Sequence, residues 1–249
     1  MIKVFCSGSC RLLTCIGTGY EKILPIHSMI DNFYGKNFLG KLHNTRQHIQ
    51  FIKFIKNEIE IPDDILPKFL TSYNYPGLPN SYGSCEDLSL IPYKLENIKN
   101  DFDNCEWYIF EICSIKLYRQ QDFEIQHELI NNEEIYFEHI QTETELLEDL
   151  REIRNIINKD KKILFQVHFR PNIFYNDENL SIENRELIYK VIKGFCEVTE
   201  NTFLYDPSII INPYLDLNTA VHFNNSGYEK SFNYILENYL EREQYQRNI

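Results

Sequence analysis

The chain has 249 residues, and its 25 Lys and Arg stand against 37 Asp and Glu for a formal net charge of -12. Nucleic-acid binding draws most of its affinity from phosphate neutralisation, so this balance argues against a polynucleotide partner. With 43% hydrophobic and 25% charged residues the composition is that of a globular protein, which excludes disorder of the whole chain.

Seven cysteines, at 6, 10, 15, 85, 105, 113 and 196, form an odd set without a CxxC pair. That pattern argues against a secreted disulfide framework and a zinc ribbon, so reduced thiols are expected. No run approaches 18 apolar residues, and the first residues read as a strand rather than a targeting segment. A cytoplasmic protein without membrane contact, metal or cofactor is the expectation. The length suits one α/β domain over residues 1–249.

In chain order, Ile2 to Cys6 reads as a first strand, and a tight turn through Gly8 leads to a helix start near Arg11. Residues 22–29 suggest a second strand, which Pro25 would confine to a sheet edge. Residues 44–58 carry an apolar stripe at helical spacing. Five of the nine prolines fall in residues 62–92, the mark of an irregular insertion. Residues 93–102 look helical. Trp107 to Cys113 is a nearly continuous apolar run, as in a central parallel strand.

Residues 123–140 are ambiguous and fit a short hairpin. A charged amphipathic helix follows over 143–158, then a buried strand over 162–168, a helix from Ser181 to about Thr199, a short strand over 202–205 and a closing helix from Asn225 through Leu240. Strands alternating with helices predict a three-layer αβα, flavodoxin-like fold with a mostly parallel sheet of about five strands.

Two segments carry chemistry. In Val4-Phe-Cys-Ser-Gly-Ser-Cys-Arg11 a strand ends and a helix begins, with Ser9 and Cys10 at the junction. Ligands of open α/β sheets bind beyond the carboxyl ends of the strands, and a helix start offers unpaired N–H groups to a developing oxyanion. Ser9 as a simple helix cap is the plainer alternative. Near the other end, Ala220-Val-His222-Phe-Asn-Asn-Ser-Gly-Tyr228 places a His just before the final helix. A Ser hydroxyl needs such a base within hydrogen-bond reach. His43 and His48, five apart, share a helical face poorly and make a weak metal pair.

Together these two segments resemble the first and last blocks of the SGNH (GDSL-like) hydrolase superfamily. The Gly-Ser-Cys form is most similar to its GSCFA branch and related polysaccharide-modifying enzymes. The resemblance implies a Ser9 nucleophile and a His222 base in an esterase or O-acyltransferase acting on a small-molecule or glycan substrate. The superfamily's Asp three residues before the His is Thr219 here, so Asp216 or Asp206 would orient the imidazole, or a dyad would suffice. Gly8 would shape the turn. Gly83 would supply the glycine of the oxyanion hole, and Ser114 would stand in for its asparagine. Glu111, on the same strand, is acceptor-only when ionised and cannot replace an amide donor.

His168 and Arg170, at the end of an apolar strand, are candidates to line the pocket, as is Arg11 beside the turn. Two alternatives stay open: a catalytically degenerate member with a glycan-binding or structural role, and a thiol enzyme built on Cys10, whose position at a helix start would lower its pKa.

Overall fold

The computed structural model describes residues 2–18, 24–25, 42–69, 71–72, 83–84, 99–100, 102–126, 135–170, 182–219 and 222–241. The strands are β1 (Lys3–Ser7), β2 (Leu24–Pro25), β3 (Thr71–Ser72), β4 (Gly83–Ser84), β5 (Trp107–Ile112), β6 (Lys116–Gln120), β7 (Phe123–Glu124), β8 (Phe137–Ile140), β9 (Lys162–Val167), β10 (Thr202–Tyr205), β11 (Leu217–Thr219) and β12 (His222–Phe223). The helices are α1 (Cys10–Thr18), α2 (Thr45–Ile55), the single turn α3 (Leu66–Phe69), α4 (Glu143–Ile156), α5 (Ile182–Val198) and α6 (Asn225–Ile235), the last continuing as a π-turn over Leu236–Leu240.

The main sheet is parallel throughout and has the order β2-β1-β5-β9-β10. Numbered by appearance among these five strands, the order is 2-1-3-4-5, the doubly wound flavodoxin-like arrangement. The chain therefore reverses direction across the sheet between β1 and β5. The sequence expectation of a mostly parallel αβα sheet of about five strands holds, and Pro25 does lie on the edge strand.

β5 and β9 are buried along nearly their whole length, which is why both read as continuous apolar runs. Alternate side chains build the two faces. Phe5, Tyr108, Phe110 and Phe165 point to one side, where Phe51 of α2 and Phe195 of α5 pack on them. On the other side Tyr205 donates to or accepts from Ser231 of α6 at 2.8 Å, and α1 packs against α6. Burying the rings of this aromatic ladder stabilises the sheet, at about 25 cal/mol per Å² of apolar surface removed from water.

Polar ties hold the α2 layer in register. Asn44 caps α2 by accepting from Gln47 N. The buried Asp149 of α4 accepts from Thr45 Oγ1 at 2.7 Å and from Arg46 Nε, joining α2 to α4. Thr142 and Glu145 form a reciprocal capping box at the start of α4.

The region read as a possible hairpin is a three-stranded antiparallel sheet, β7-β6-β8. Its strands alternate poorly because both faces of β8 are exposed. Residues 93–98, most of the insertion at 62–92 and the span 26–29 lie outside the described residues.

His48 has a structural role that spacing alone did not reveal. Its ring is fully buried, with Nε2 bonded to the Glu111 carbonyl at 2.9 Å and Nδ1 to Ser7 Oγ at 2.8 Å. A carbonyl only accepts, so Nε2 carries the proton and the Ser7 hydroxyl donates to Nδ1. Burial pushes the imidazole down from 6.5 to about 4, against the raising effect of Glu111.

The folded state thus takes up the His48 proton later than the unfolded chain does. Stability is full above pH 6.5, falls as pH drops from 6.5 to about 4, and is level in this term below that. Urea melts at pH 7 and pH 4.5 should show a loss of about 2 kcal/mol attributable to His48, and the His48→Gln variant should have a correspondingly flatter pH profile.

Candidate active site

Ser9 sits at the carboxyl end of β1, with its carbonyl accepting from Leu13 N in the first turn of α1. β1 and β5 flank the point where strand order reverses, the place where doubly wound sheets open a crevice for ligands. Glu111, on β5, projects into this place. One carboxylate oxygen, Oε2, accepts from Ser9 N at 2.8 Å and from Ser9 Oγ at 2.5 Å. The other, Oε1, accepts from Arg11 Nε at 2.7 Å. The Ser9 hydroxyl oxygen in turn accepts from Arg11 N at 3.3 Å.

Gly8 makes this contact possible. A Cβ there would stand 2.7 Å from the Glu111 Cβ, a distance real side chains do not adopt. The glycine of the motif therefore serves close approach between two strands, and its φ is unremarkable.

Glu111 is wholly buried, and burial alone would raise its pKa. The Arg11 charge and the bonds from Ser9 outweigh that effect and hold the carboxyl below its usual range, so it is ionised at neutral pH. Glu111 was read from sequence as an acceptor, and it acts as one here.

The far end of the chain reaches the same rim. His168, just beyond β9, donates from Nδ1 to the Phe169 carbonyl at 2.8 Å, which leaves Nε2 unprotonated. Burial, with the charges of Arg11, Arg185 and His222, drives its pKa well below 6.5. The charges of Arg11 and His222 both act on His168. Arg185 of α5 donates to the Phe169 carbonyl at 2.8 Å, while its buried Nη2 has no hydrogen-bond partner among the described residues. Burial and the neighbouring Arg11 lower it to about 10. Sequence reading missed Arg185, since one Arg among helical charges has no distinguishing local pattern.

His222 begins β12 and pairs with Thr219 of β11. The two carboxylates considered for orienting it hold other partners. Asp216 accepts from Lys230 Nζ at 2.8 Å, Asn212 N at 2.8 Å and Ser226 Oγ at 3.1 Å. Gly227 packs on the Asp216 carbonyl, leaving no room there for a Cβ. Asp206 accepts from Arg170 Nη2 at 2.5 Å and Nε at 3.0 Å, and caps a short 3-10 turn through Ser208 N. Arg170 also reaches Glu186 at 3.2 Å and stacks over Tyr189. Asp206 and Arg170, two separate candidates in the sequence, are thus partners of each other.

Ser114 lies in the loop after β5, where its N–H donates to the His43 carbonyl and its hydroxyl accepts from Lys116 N at 3.0 Å. Gly83 belongs to β4, paired with Ser72 of β3. Cys10 opens α1, and its side chain lies outside the described ones. Among the described residues no group of three or more His, Cys, Asp or Glu is placed to hold a metal ion, and no helix is long and apolar enough to cross a membrane. A groove of about 1200 Å³ between α4 and α5 includes Glu186 and Tyr189, the partners of Arg170, in its lining.

The model of the TviD N-terminal domain matches residues 2–139, more than half of the chain. No match was found among curated proteins. Among solved structures, a family 3 carbohydrate esterase of Clostridium thermocellum matches at 13% identity and a TM-score of 0.37, over 95% of this chain and 94% of that one. A member of the lipolytic protein G-D-S-L family from Veillonella parvula matches at 12% and 0.36, over 96% and 99%. An inhibitor-bound aryl esterase of M. smegmatis matches at 9% and 0.40, over the full length of both.

Breaking the buried pair from one side should be costly. Arg11→Met leaves Glu111 charged and uncompensated, and should lower stability in urea by about 3–5 kcal/mol. The double variant Arg11→Met, Glu111→Leu should lose clearly less than the sum of the two single changes, which a double-mutant cycle will read directly.

Proposed function

Since the chain belongs to the TviD N-terminal domain family, and its Ser9 turn lies at the reversal point of a flavodoxin-like sheet, we propose that it is an esterase or O-acyltransferase that uses Ser9 as nucleophile and His222 as base. The observation that carries this reading is Ser9 itself, with a hydroxyl and an N–H directed into one small volume beyond β1. Acyl transfer needs that combination: one group to attack the carbonyl and one to hold the negative oxygen that results.

In the proposed reaction Ser9 Oγ attacks the acyl carbonyl as His222 takes its proton. The Ser9 N–H holds the oxyanion, with Gly83 and Ser114 proposed as further contributors. Collapse of the tetrahedral adduct expels the alcohol, which takes the proton back from His222. Water or a hydroxyl acceptor then attacks the acyl-enzyme as His222 takes its proton, and the adduct collapses with loss of Ser9 Oγ, which recovers that proton from His222. Asp216 and Asp206 are both held by cations of their own, which supports a Ser-His dyad over a triad. Arg11 and His168 would line the acyl end of the pocket, and Arg170 would support its wall through Asp206. The sequence resemblance to polysaccharide-modifying enzymes supports an O-acylated carbohydrate as substrate, with no cofactor.

A second reading, a non-catalytic member with a glycan-binding or structural role, is favoured by one observation: Glu111 takes both Ser9 donors. The two readings part on a simple assay. Hydrolysis of p-nitrophenyl acetate should fall by about 10⁴-fold in both Ser9→Ala and His222→Ala. Equal turnover in all three proteins would remove the assignment.

A further inference from the structure

If Ser9 is the nucleophile, the structure poses a specific difficulty. The carbonyl oxygen of an ester must come within about 2.7–3.1 Å of the Ser9 N–H when it becomes an oxyanion. That position is taken: Glu111 Oε2 stands 2.8 Å from Ser9 N. The same oxygen receives the Ser9 hydroxyl proton, directing it away from an imidazole base.

We propose that Glu111 is a positioning residue with two stations, one on Ser9 that fills the oxyanion position at rest and one on Gln166 and Arg11 that opens it for substrate. This deepens the Ser9 reading and rests on it. Three observations lead to the second station. Arg11 Nε holds the other carboxylate oxygen, Oε1, so the ion pair survives when Oε2 leaves Ser9. Gln166 of β9 is in register with Glu111 across the parallel pair, so both side chains lie on the same face of the sheet. Both amide atoms of Gln166 are buried without a hydrogen-bond partner among the described residues.

A buried amide with no partner is costly, and such a group calls for an occupant. A carboxylate at the paired position of the neighbouring strand is the right chemical partner, because Gln166 Nε2 donates and Glu111 accepts. Each station thus satisfies donors that the other leaves bare: Ser9 N–H and Oγ–H in the first, Gln166 Nε2–H in the second. An incoming ester carbonyl replaces Glu111 on the Ser9 N–H and shifts the carboxylate to its second station.

The test is the rate at which a fluorophosphonate probe labels Ser9, measured on full-length protein with melting curves to confirm folding. Glu111→Gln makes the competing group neutral and a weaker acceptor, so labelling should accelerate by about 10-fold. Glu111→Asp, which keeps the charge for Arg11 but is one methylene shorter, should accelerate it as well and covers the case in which Glu111→Gln fails to fold. Gln166→Leu removes the second station without touching the ion pair and should slow labelling by about 10-fold. Labelling should depend on His222 in every background. A role for Glu111 confined to stability would leave the rates of folded variants unchanged, which overturns the proposal, as does slower labelling in folded Glu111→Gln or Glu111→Asp, which would make Glu111 the base instead. Equal rates in wild type and Gln166→Leu overturn it independently. If none of the proteins labels at Ser9, the nucleophile reading fails and this inference fails with it. Labelling of all at one rate leaves the nucleophile standing and removes the two stations alone.

Discussion

A single buried carboxylate joins the layers of this protein at the point where its sheet reverses direction. The Glu111 side chain receives Ser9 and Arg11 from the turn that starts α1, while its backbone carbonyl receives His48 from α2 on the opposite face. A charge with no solvent exposure is tolerable only with a close counter-charge and filled hydrogen-bond sites. Arg11 and Ser9 meet that condition together. The turn after β1 consequently has little freedom to fold in any other way, and Gly8 is the residue whose missing side chain lets the strands come close enough.

The candidate site inherits its geometry from this constraint. Ser9 is held by its own backbone amide and its hydroxyl at once, so its orientation is set before any substrate arrives. The closing segment is anchored comparably: Lys230 and Asn212 hold Asp216, and Gly227 sits on the Asp216 carbonyl so that α6 starts close to β11 and β12. Close to the Ser9 turn stand a neutral His168, Arg11 in its ion pair with Glu111, and the buried Arg185.

Much of the fold was legible in the residues. Trp107–Ile112 and Lys162–Val167 had to be interior strands, because near-continuous apolar runs bounded by polar turns have no other favourable place. Pro25 marked an edge, and Asn225 the opening of the last helix, where its neighbour Asn224 supplies the cap. The segment around Phe137 was harder to read, since a strand exposed on both faces keeps no alternation of polar and apolar residues.

Local sequence also placed Ser9 and Gly8 at the strand-to-helix turn and gave Glu111 its acceptor character, because each follows from residue type and its position on a strand or turn. Pairings between distant residues depended on the folded chain. Ser7 with His48, Asp206 with Arg170 and Ser9 with Glu111 are 41, 36 and 102 positions apart. A hydrogen bond leaves no imprint on the residues next to either partner, so its existence is decided only when strand order and register bring the two together. Sequence alone determined which side chains were able to exchange a proton or carry a charge, and tertiary structure decided which of them faced one another.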